Sequence, residues 1–411
     1  MRMSPILSAL LRNKTGALLV SIQVALSLAI LANALHIVNV RQAVAARPSG
    51  IADESSVFYA TTRYLAKAGV EQHRAILQRE LALLRAIPGV AAVATTNQMP
   101  LSNSGQMTSL SLDPKQVNES AGAAIYQTGE SLIQAWQLKL VEGRDFNPGD
   151  VLEVDQEASD ETPKILIITK TLADKLWPNA SAIGKTVLFG VGEDSRPARV
   201  IGVVERLMSP WAPIDIESEY ATVLPYRGLG GIVRNMYAIR TEPGQRDRVA
   251  KEAEAALIKS AGAPLIAKIK TADEHRKERY RPDLALSWML ITVSVLLLVI
   301  TASGIVGMAS LWVTQRRKQI GVRRALGARR ADILRYFITE NIFITSAGVA
   351  GGVMLALGLN QLLVSKLEMT RLPLEYLFGG VGLFYLLGII AVYGPAWRAA
   401  SISPATATRS A

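Results

Sequence analysis

Few residues in this 411-residue chain are of a type and spacing that could do chemistry, and most of those are dispersed. Gly184-Lys185-Thr186 looks like the end of a phosphate-binding loop, but that loop needs a further glycine five residues before Gly184. Asn179 stands there instead. Cysteine is absent, which excludes disulfides, thiolate catalysis and cysteine metal sites. The three histidines, His36, His73 and His275, form no ligand-spaced pair. Asp145, Glu205 and Asp215 lie in turn-rich sequence and read as solvated surface. No Ser/His/Asp set or carboxylate pair stands out, so the expectation is a chain with no catalytic residue, no metal and no directly bound cofactor.

The one dense constellation is QRRKQIGVRRALGARRADILRYFITEN, residues 315–341. It carries Arg316, Arg317, Lys318, Arg323, Arg324, Arg329, Arg330 and Arg335 against a single Asp332 before Glu340. Its first part predicts a short helix ending at Gly327, since glycine is favoured just past a helix end and Arg323 and Arg324 complement the C-terminal dipole. A second helix is expected from near Ala331 through Ile333, Leu334 and Phe337. The arginines alone fit a loop that fixes membrane topology and binds anionic lipid. Gly321, Ala325, Gly327 and Ala328 add small residues that allow another backbone to approach closely, and composition does not choose between these readings.

The elements around this loop are set by hydropathy. Half of the residues are hydrophobic although 19% are charged, and mean hydropathy is +0.24. Such values coexist because the apolar residues are gathered into runs at 16–38, 284–313, 337–365 and 376–396, each near the ~20 residues that cross a bilayer. The first could also read as a signal peptide cut at Ala32-Asn33-Ala34, although the apolar run continues past that point. The arginine-rich loop 314–336 then belongs in the cytoplasm and the charge-balanced loop 366–375, with Lys366, Glu368, Arg371 and Glu375, outside. Both termini, 1–15 and 397–411, follow as cytoplasmic, consistent with Arg2, Arg12, Lys14, Arg398 and Arg409. The net charge of +11 is thus explained by topology, and nucleic acid is not an expected partner. Within the third run Gly348, Gly352, Ala356 and Asn360 recur every four residues, as do Ser303 and Gly307 in the second. Small-xxx-small spacing packs helices closely, within one bundle or across a dimer. No charged residue lies mid-span, which argues against a proton-coupled transporter.

Residues 39–283 are expected outside as a folded α+β domain. A strand at 56–61, a helix at 70–86 and a strand at 90–96 are followed much later by a strand at 235–240, a helix at 244–261 and a strand at 264–271. Two βαβ-like halves, about 55–114 and 231–272, separated by a β-rich insertion at about 115–230, predict a ferredoxin-like split unit. The charged flanks 39–47 and 272–283 read as stalks continuing the spans. The fold class is therefore membrane α-helical, with four transmembrane helices carrying an α+β extracytoplasmic domain.

Arg317-Lys318-Gln319-Ile320-Gly321-Val322-Arg323-Arg324-Ala325-Leu326-Gly327-Ala328 resembles the signature R-x-x-E-I-G-I-R-R-A-L-G-A of FtsX-like permeases of the MacB type, with Gln319 where that family usually has an acid. Pro395-Ala396-Trp397-Arg398-Ala399-Ala400-Ser401-Ile402-Ser403-Pro404 is similar to the family's ending, although Thr406-Ala407-Thr408-Arg409 departs from it. Pro88-Gly89-Val90, Gly143-Arg144-Asp145-Phe146 and Ile201-Gly202-Val203-Val204 resemble its periplasmic core. The resemblance implies a permease subunit of a mechanotransmitting ABC system in a bacterial inner membrane, its outer domain a porter-like subdomain with a β-rich insert. The helix at about 316–327 would be the coupling helix seated on an ABC ATPase, with residues 320–328 as its coupling positions, and that ATPase brings ATP and Mg and is expected as a separate polypeptide. Further implied partners are a second permease copy or paralogue, a periplasmic adaptor and membrane lipid. The stroke would serve export of a peptide, antibiotic or lipoprotein-like cargo. The alternative is a signalling subunit that activates a cell-wall hydrolase without transport.

Overall fold

Each of the four apolar runs becomes a helix long enough to cross a membrane. In the computed structural model, which describes residues 14–213, 215–367 and 370–401, these are α1 (Lys14–Ala45), α6 (Ala272–Gln315), α8 (Arg330–Leu367) and α9 (Leu374–Ala400). Arg2, Arg12, Glu368, Arg409 and the stretch Ile402 to Pro404 lie outside the described residues. The chain divides into a helical unit, residues 14–43 and 283–401, and a second unit, Val44–Pro282.

In the helical unit α1 is the best-covered span, and its neighbours close on it through small residues. Gly348 of α8 lies so near that a Cβ built there would stand 2.7 Å from the Ser21 carbonyl oxygen and 2.8 Å from the Val24 side chain. Gly352, one turn on, meets the Ala25 carbonyl oxygen and Leu28 at 3.0 Å, and Ala356 is fully buried. Gly380 of α9 takes the other side of Leu28. Close approach lets short polar side chains bridge the helices: Ser27 and Thr301 of α6 share a hydrogen bond of 2.9 Å, Ser21 Oγ donates to the Ile344 carbonyl at 3.0 Å, and Asn33 Nδ2 donates to the Ala356 carbonyl at 3.1 Å. Asn33 thereby makes the Ala32-Asn33-Ala34 stretch a buried piece of the helix interface.

The second unit is built on two sheets. β1 (Val57–Ala68), α2 (Val70–Ala86) and β2 (Val90–Thr95) form one βαβ half, and β11 (Gly231–Thr241), α5 (Arg246–Ser260) and β12 (Leu265–Thr271) the other. Their strands assemble as β12-β1-β11-β2, with the β1–β11, β1–β12 and β11–β2 pairs antiparallel. This is the ferredoxin-like arrangement. Leu77, Leu81 and Leu84 of α2 and Val249, Ala253 and Leu257 of α5 cover one face, packed on Phe58, Ala60, Val93, Tyr237 and Ile239. The other face, with Val57, Tyr59, Ala94 and Ala238, packs on Tyr126, Trp136, Ile167 and Leu207 of the insertion.

That insertion holds β3 (Met107–Ser111), β4 (Ala121–Thr128), a short α3 (Leu132–Trp136), β5 (Leu140–Gly143), β6 (Leu152–Asp155), β7 (Ile165–Thr169), α4 (Lys170–Leu176), β8 (Thr186–Phe189), β9 (Arg196–Val204) and β10 (Ala221–Leu229). Strand order β4-β3-β8-β9-β7-β10 closes on itself through the β10–β4 pair, so six strands form a ring around Leu110, Leu166, Ile168, Val187, Val200 and Leu224. This corrects the expected division at residue 114. Met107–Ser111 pairs with β4 and β8 and belongs to the insertion, because hydrogen-bond partners rather than chain position decide sheet membership.

Glu80 and His275 are buried in this unit without an opposite charge in hydrogen-bond reach. Glu80, on α2, accepts hydrogen bonds from Thr62 (3.1 Å), Tyr64 (2.8 Å), Asn235 (2.8 Å) and Tyr237 (2.5 Å). His275, 6% exposed, sits edge-on to the Tyr59 ring, with centroids 5.6 Å apart. Burial, reinforced by the charge of Lys270, pushes its pKa down from 6.5 to about 4. The unfolded chain therefore takes up this proton first, so the unit should lose stability as pH falls from ~6.5 toward ~4, by about 2 kcal/mol at pH ~5. Thermal unfolding followed by circular dichroism between pH ~7.5 and ~5 should show this loss, and His275→Phe should flatten it. Equal pH dependence in the two proteins would contradict the assignment.

Candidate functional site

The short helix expected before Gly327 is present as α7 (Arg317–Ala325). It is separated from α6 by Arg316 alone, whose backbone (φ −100°, ψ 11°) leaves the helical range and turns the chain. The far end is closed by a Schellman motif. Gly327 adopts φ +97°, its N–H donates to the Arg324 carbonyl at 3.2 Å, and the Ala328 N–H reaches the Arg323 carbonyl at 3.0 Å. Only glycine takes that conformation without strain, so the helix stops there. Arg324 Nη1 adds a bond to the Ala328 carbonyl at 3.0 Å, and Asp332 Oδ2 accepts from the Arg329 N–H at 2.8 Å beside the start of α8.

One side of α7 is anchored. Ile320 is 5% exposed and packs in a cluster with Trp312, Ile333 and Phe337, and Gly321 is buried beside it. The Arg323 guanidinium lies over the Tyr336 ring, 5.1 Å from its centroid. The other side is bare. Leu326 is 83% exposed and Val322 52%, flanked by exposed Arg317, Lys318, Arg323, Ala325 and Gly327. The nine residues 320–328 thus divide, with Ile320 and Gly321 turned inward, Arg324 and Ala328 half-buried, and Val322, Arg323, Ala325, Leu326 and Gly327 presented outward. A cationic surface with a protruding apolar residue can dock on a cleft that has an apolar floor and an acidic rim.

Sequence reasoning missed Glu340 as part of this site. It is 1% exposed on α8, and its Oε2 receives the Arg316 guanidinium at 2.7 Å, which ties the turn before α7 to α8. The only hint in the sequence is an acid inside an otherwise apolar run. Gln319, at the position of the missing acid, is exposed.

The remaining candidates separate into two groups. Gly348, Gly352 and Ala356 pack on α1 within the chain, whereas Ser303 and Gly307 of α6 are exposed and Gly307 has no atom within 4 Å of an added Cβ. The Gly184-Lys185-Thr186 segment, at the start of β8, has no free cradle of amides. The Gly184 N–H donates to the Val200 carbonyl at 2.8 Å, that of Lys185 to the Ala182 carbonyl at 3.1 Å, and the Lys185 ammonium sits over the Trp177 ring.

Two family models match the sequence, the MacB-like periplasmic core domain over residues 24–256 and the FtsX-like permease C-terminal region over residues 291–404. Curated relatives include the macrolide export ATP-binding/permease protein MacB of Neisseria gonorrhoeae, 28% identical over 70% of this chain and 43% of that protein. The protein of the same name from Agrobacterium fabrum is 26% identical over 79% of this chain and 49% of its own length. The chain thus spans less than half the length of these relatives. Among solved structures, the periplasmic region of MacB from Actinobacillus actinomycetemcomitans aligns with 58% of this chain and 97% of its own, at 18% identity and a TM-score of 0.35. The extracellular domain of the noncanonic ABC-type transporter YknZ aligns with 52% of this chain and all of its own, at 16% identity and a TM-score of 0.33.

The packing difference has a measurable consequence. Gly348→Leu should drive α1 from α8 and destabilise the detergent-solubilised monomer by at least ~2 kcal/mol, whereas Gly307→Leu should leave the monomer within about 0.5 kcal/mol of the parent. Thermal unfolding with size-exclusion detection compares them, and equal losses would refute the division.

Proposed function

This chain belongs to the family of ABC permeases that join a MacB-like periplasmic core domain to an FtsX-like C-terminal region, and on that premise we propose that it converts ATP hydrolysis by a partner ATPase into movement of its outer domain. The observation that carries this reading is the bare face of α7, an 83%-exposed Leu326 amid arginines on a helix whose opposite side is anchored. An apolar side chain so presented loses free energy in water and gains it in a complementary cleft. The exposed Arg317 and Lys318 supply attraction to an acidic rim. ATP and Mg would be held by the ATPase, with this chain contributing no catalytic group. The arginine-rich loop favours a cytoplasmic position for α7 by the positive-inside rule, with both termini on that side and residues 44–282 across the membrane.

Movement of the outer domain would serve export or efflux of a peptide, antibiotic or lipoprotein-like cargo, with a second permease copy or paralogue completing a two-fold assembly. A periplasmic adaptor and the surrounding lipid are the further partners this reading implies. Ser303 and Gly307, bare on α6, are the candidates for contact with that second copy.

The test is direct. Tagged protein purified from native membranes should retain an ABC ATPase and support vanadate-sensitive ATP hydrolysis, and Leu326→Asp should reduce both about tenfold. Undiminished retention and hydrolysis in Leu326→Asp would remove the basis for the proposal.

A further inference from the structure

The exposed face of α7 can move the spans only if a rigid connection leads from it into them, and α7 is joined to α6 through a non-helical residue. The connection is formed by side chains. Arg316 Nη1 donates to Glu340 Oε2 at 2.7 Å and reaches the Tyr336 hydroxyl at 3.5 Å, while Arg323, two turns along α7, lies over the ring of the same Tyr336. Tyr336 and Glu340 are four residues apart on α8 and so share a face. Ile320 fills the space between with Ile333 and Phe337. The Arg316 and Glu340 side chains are 17% and 1% exposed, so this ion pair escapes the screening that makes surface pairs weak. Breaking such a pair from one side leaves a buried charge without compensation.

We propose that Glu340 and Arg316 are positioning residues that make α7 and the start of α8 move as one body. A displacement of α7 is delivered to α8 through this pair, and α8 bears directly on α1 through Gly348 and Gly352. Gln319 carries no carboxylate and points to solvent, so the acid that fixes this turn comes from the next helix. The consequence for transmission rests on the reading of α7 as the ATPase-contacting element. The joint itself is testable without that reading.

Because the chain has no cysteine, cysteines placed at the exposed positions Lys318 on α7 and Arg335 on α8 can be spin-labelled without background. In Lys318→Cys/Arg335→Cys protein reconstituted in nanodiscs, the distance distribution should be narrow. Glu340→Gln, which keeps side-chain volume, should broaden it about twofold, Arg316→Gln at the more accessible end should do the same, and the two together should add little further. An unchanged distribution in both single variants overturns the proposal. In protein carrying its ATPase, Glu340→Gln should keep ATPase retention within about twofold while stimulated hydrolysis falls at least ~fivefold. Retention and hydrolysis falling in parallel would mark a merely structural role and overturn the transmission step. Absence of any retained ATPase in the parent protein sinks the reading of α7 and leaves the spin-label distances to decide the joint.

Discussion

Hydrocarbon supplies neither donors nor acceptors, and the helical unit is organised by that constraint. It requires polar side chains within the spans to find a partner on their own helix or on a neighbouring one, and the second is possible only where backbones approach closely. Gly348 and Gly352 bring α8 to within side-chain reach of α1, and the bonds from Ser21 to Ile344 and from Asn33 to Ala356 become possible along that line. Ser27 and Thr301 do the same between α1 and α6. Dispersion in the tight contact and hydrogen bonding across it therefore reinforce each other, as expected where the hydrophobic effect cannot drive helices together. The buried Arg316–Glu340 pair extends this principle to full charges at the end of the bundle.

The outer unit answers a different problem in water. Its ferredoxin-like sheet has two faces to cover, and the two helices of the split βαβ halves cover only one. The insertion between the halves supplies the second cover through Tyr126, Trp136 and Leu207. The six-stranded ring that carries those residues has its own core, so it is both a folded subdomain and the lid of the other sheet. Glu80 marks the opposite side of the same sheet. A buried carboxylate surrounded by four neutral donors fixes the mutual register of α2, β1 and β11, because each donor would otherwise be left unsatisfied.

What could be read from the sequence was set by range. Hydropathy runs, the arginine excess at 314–336 and the glycine stop at 327 are local signals, and each corresponds to an element of the structure. The βαβ halves were also legible, since alternation and helix periodicity extend over a few residues at a time. The placement of β3 was not, because Met107–Ser111 is equally a strand in either sheet and only its partners differ. Nor could the sequence tell that Gly348 faces α1 while Gly307 faces outward, since both lie in small-residue repeats of the same spacing. Glu340 was visible as a polar interruption, but its partner lies 24 residues away across a helical turn.

The division of labour on α7 follows from the same geometry. A nine-residue helix is too short to be stable alone, so it persists by borrowing order from α8 through Ile320, Arg316 and Arg323. Using those side chains as anchors leaves only the opposite strip, with Val322 and Leu326, free to meet another protein. Under the proposed docking of α7 on an ATPase, this dependence on α8 is what would carry a push on Leu326 into the spans.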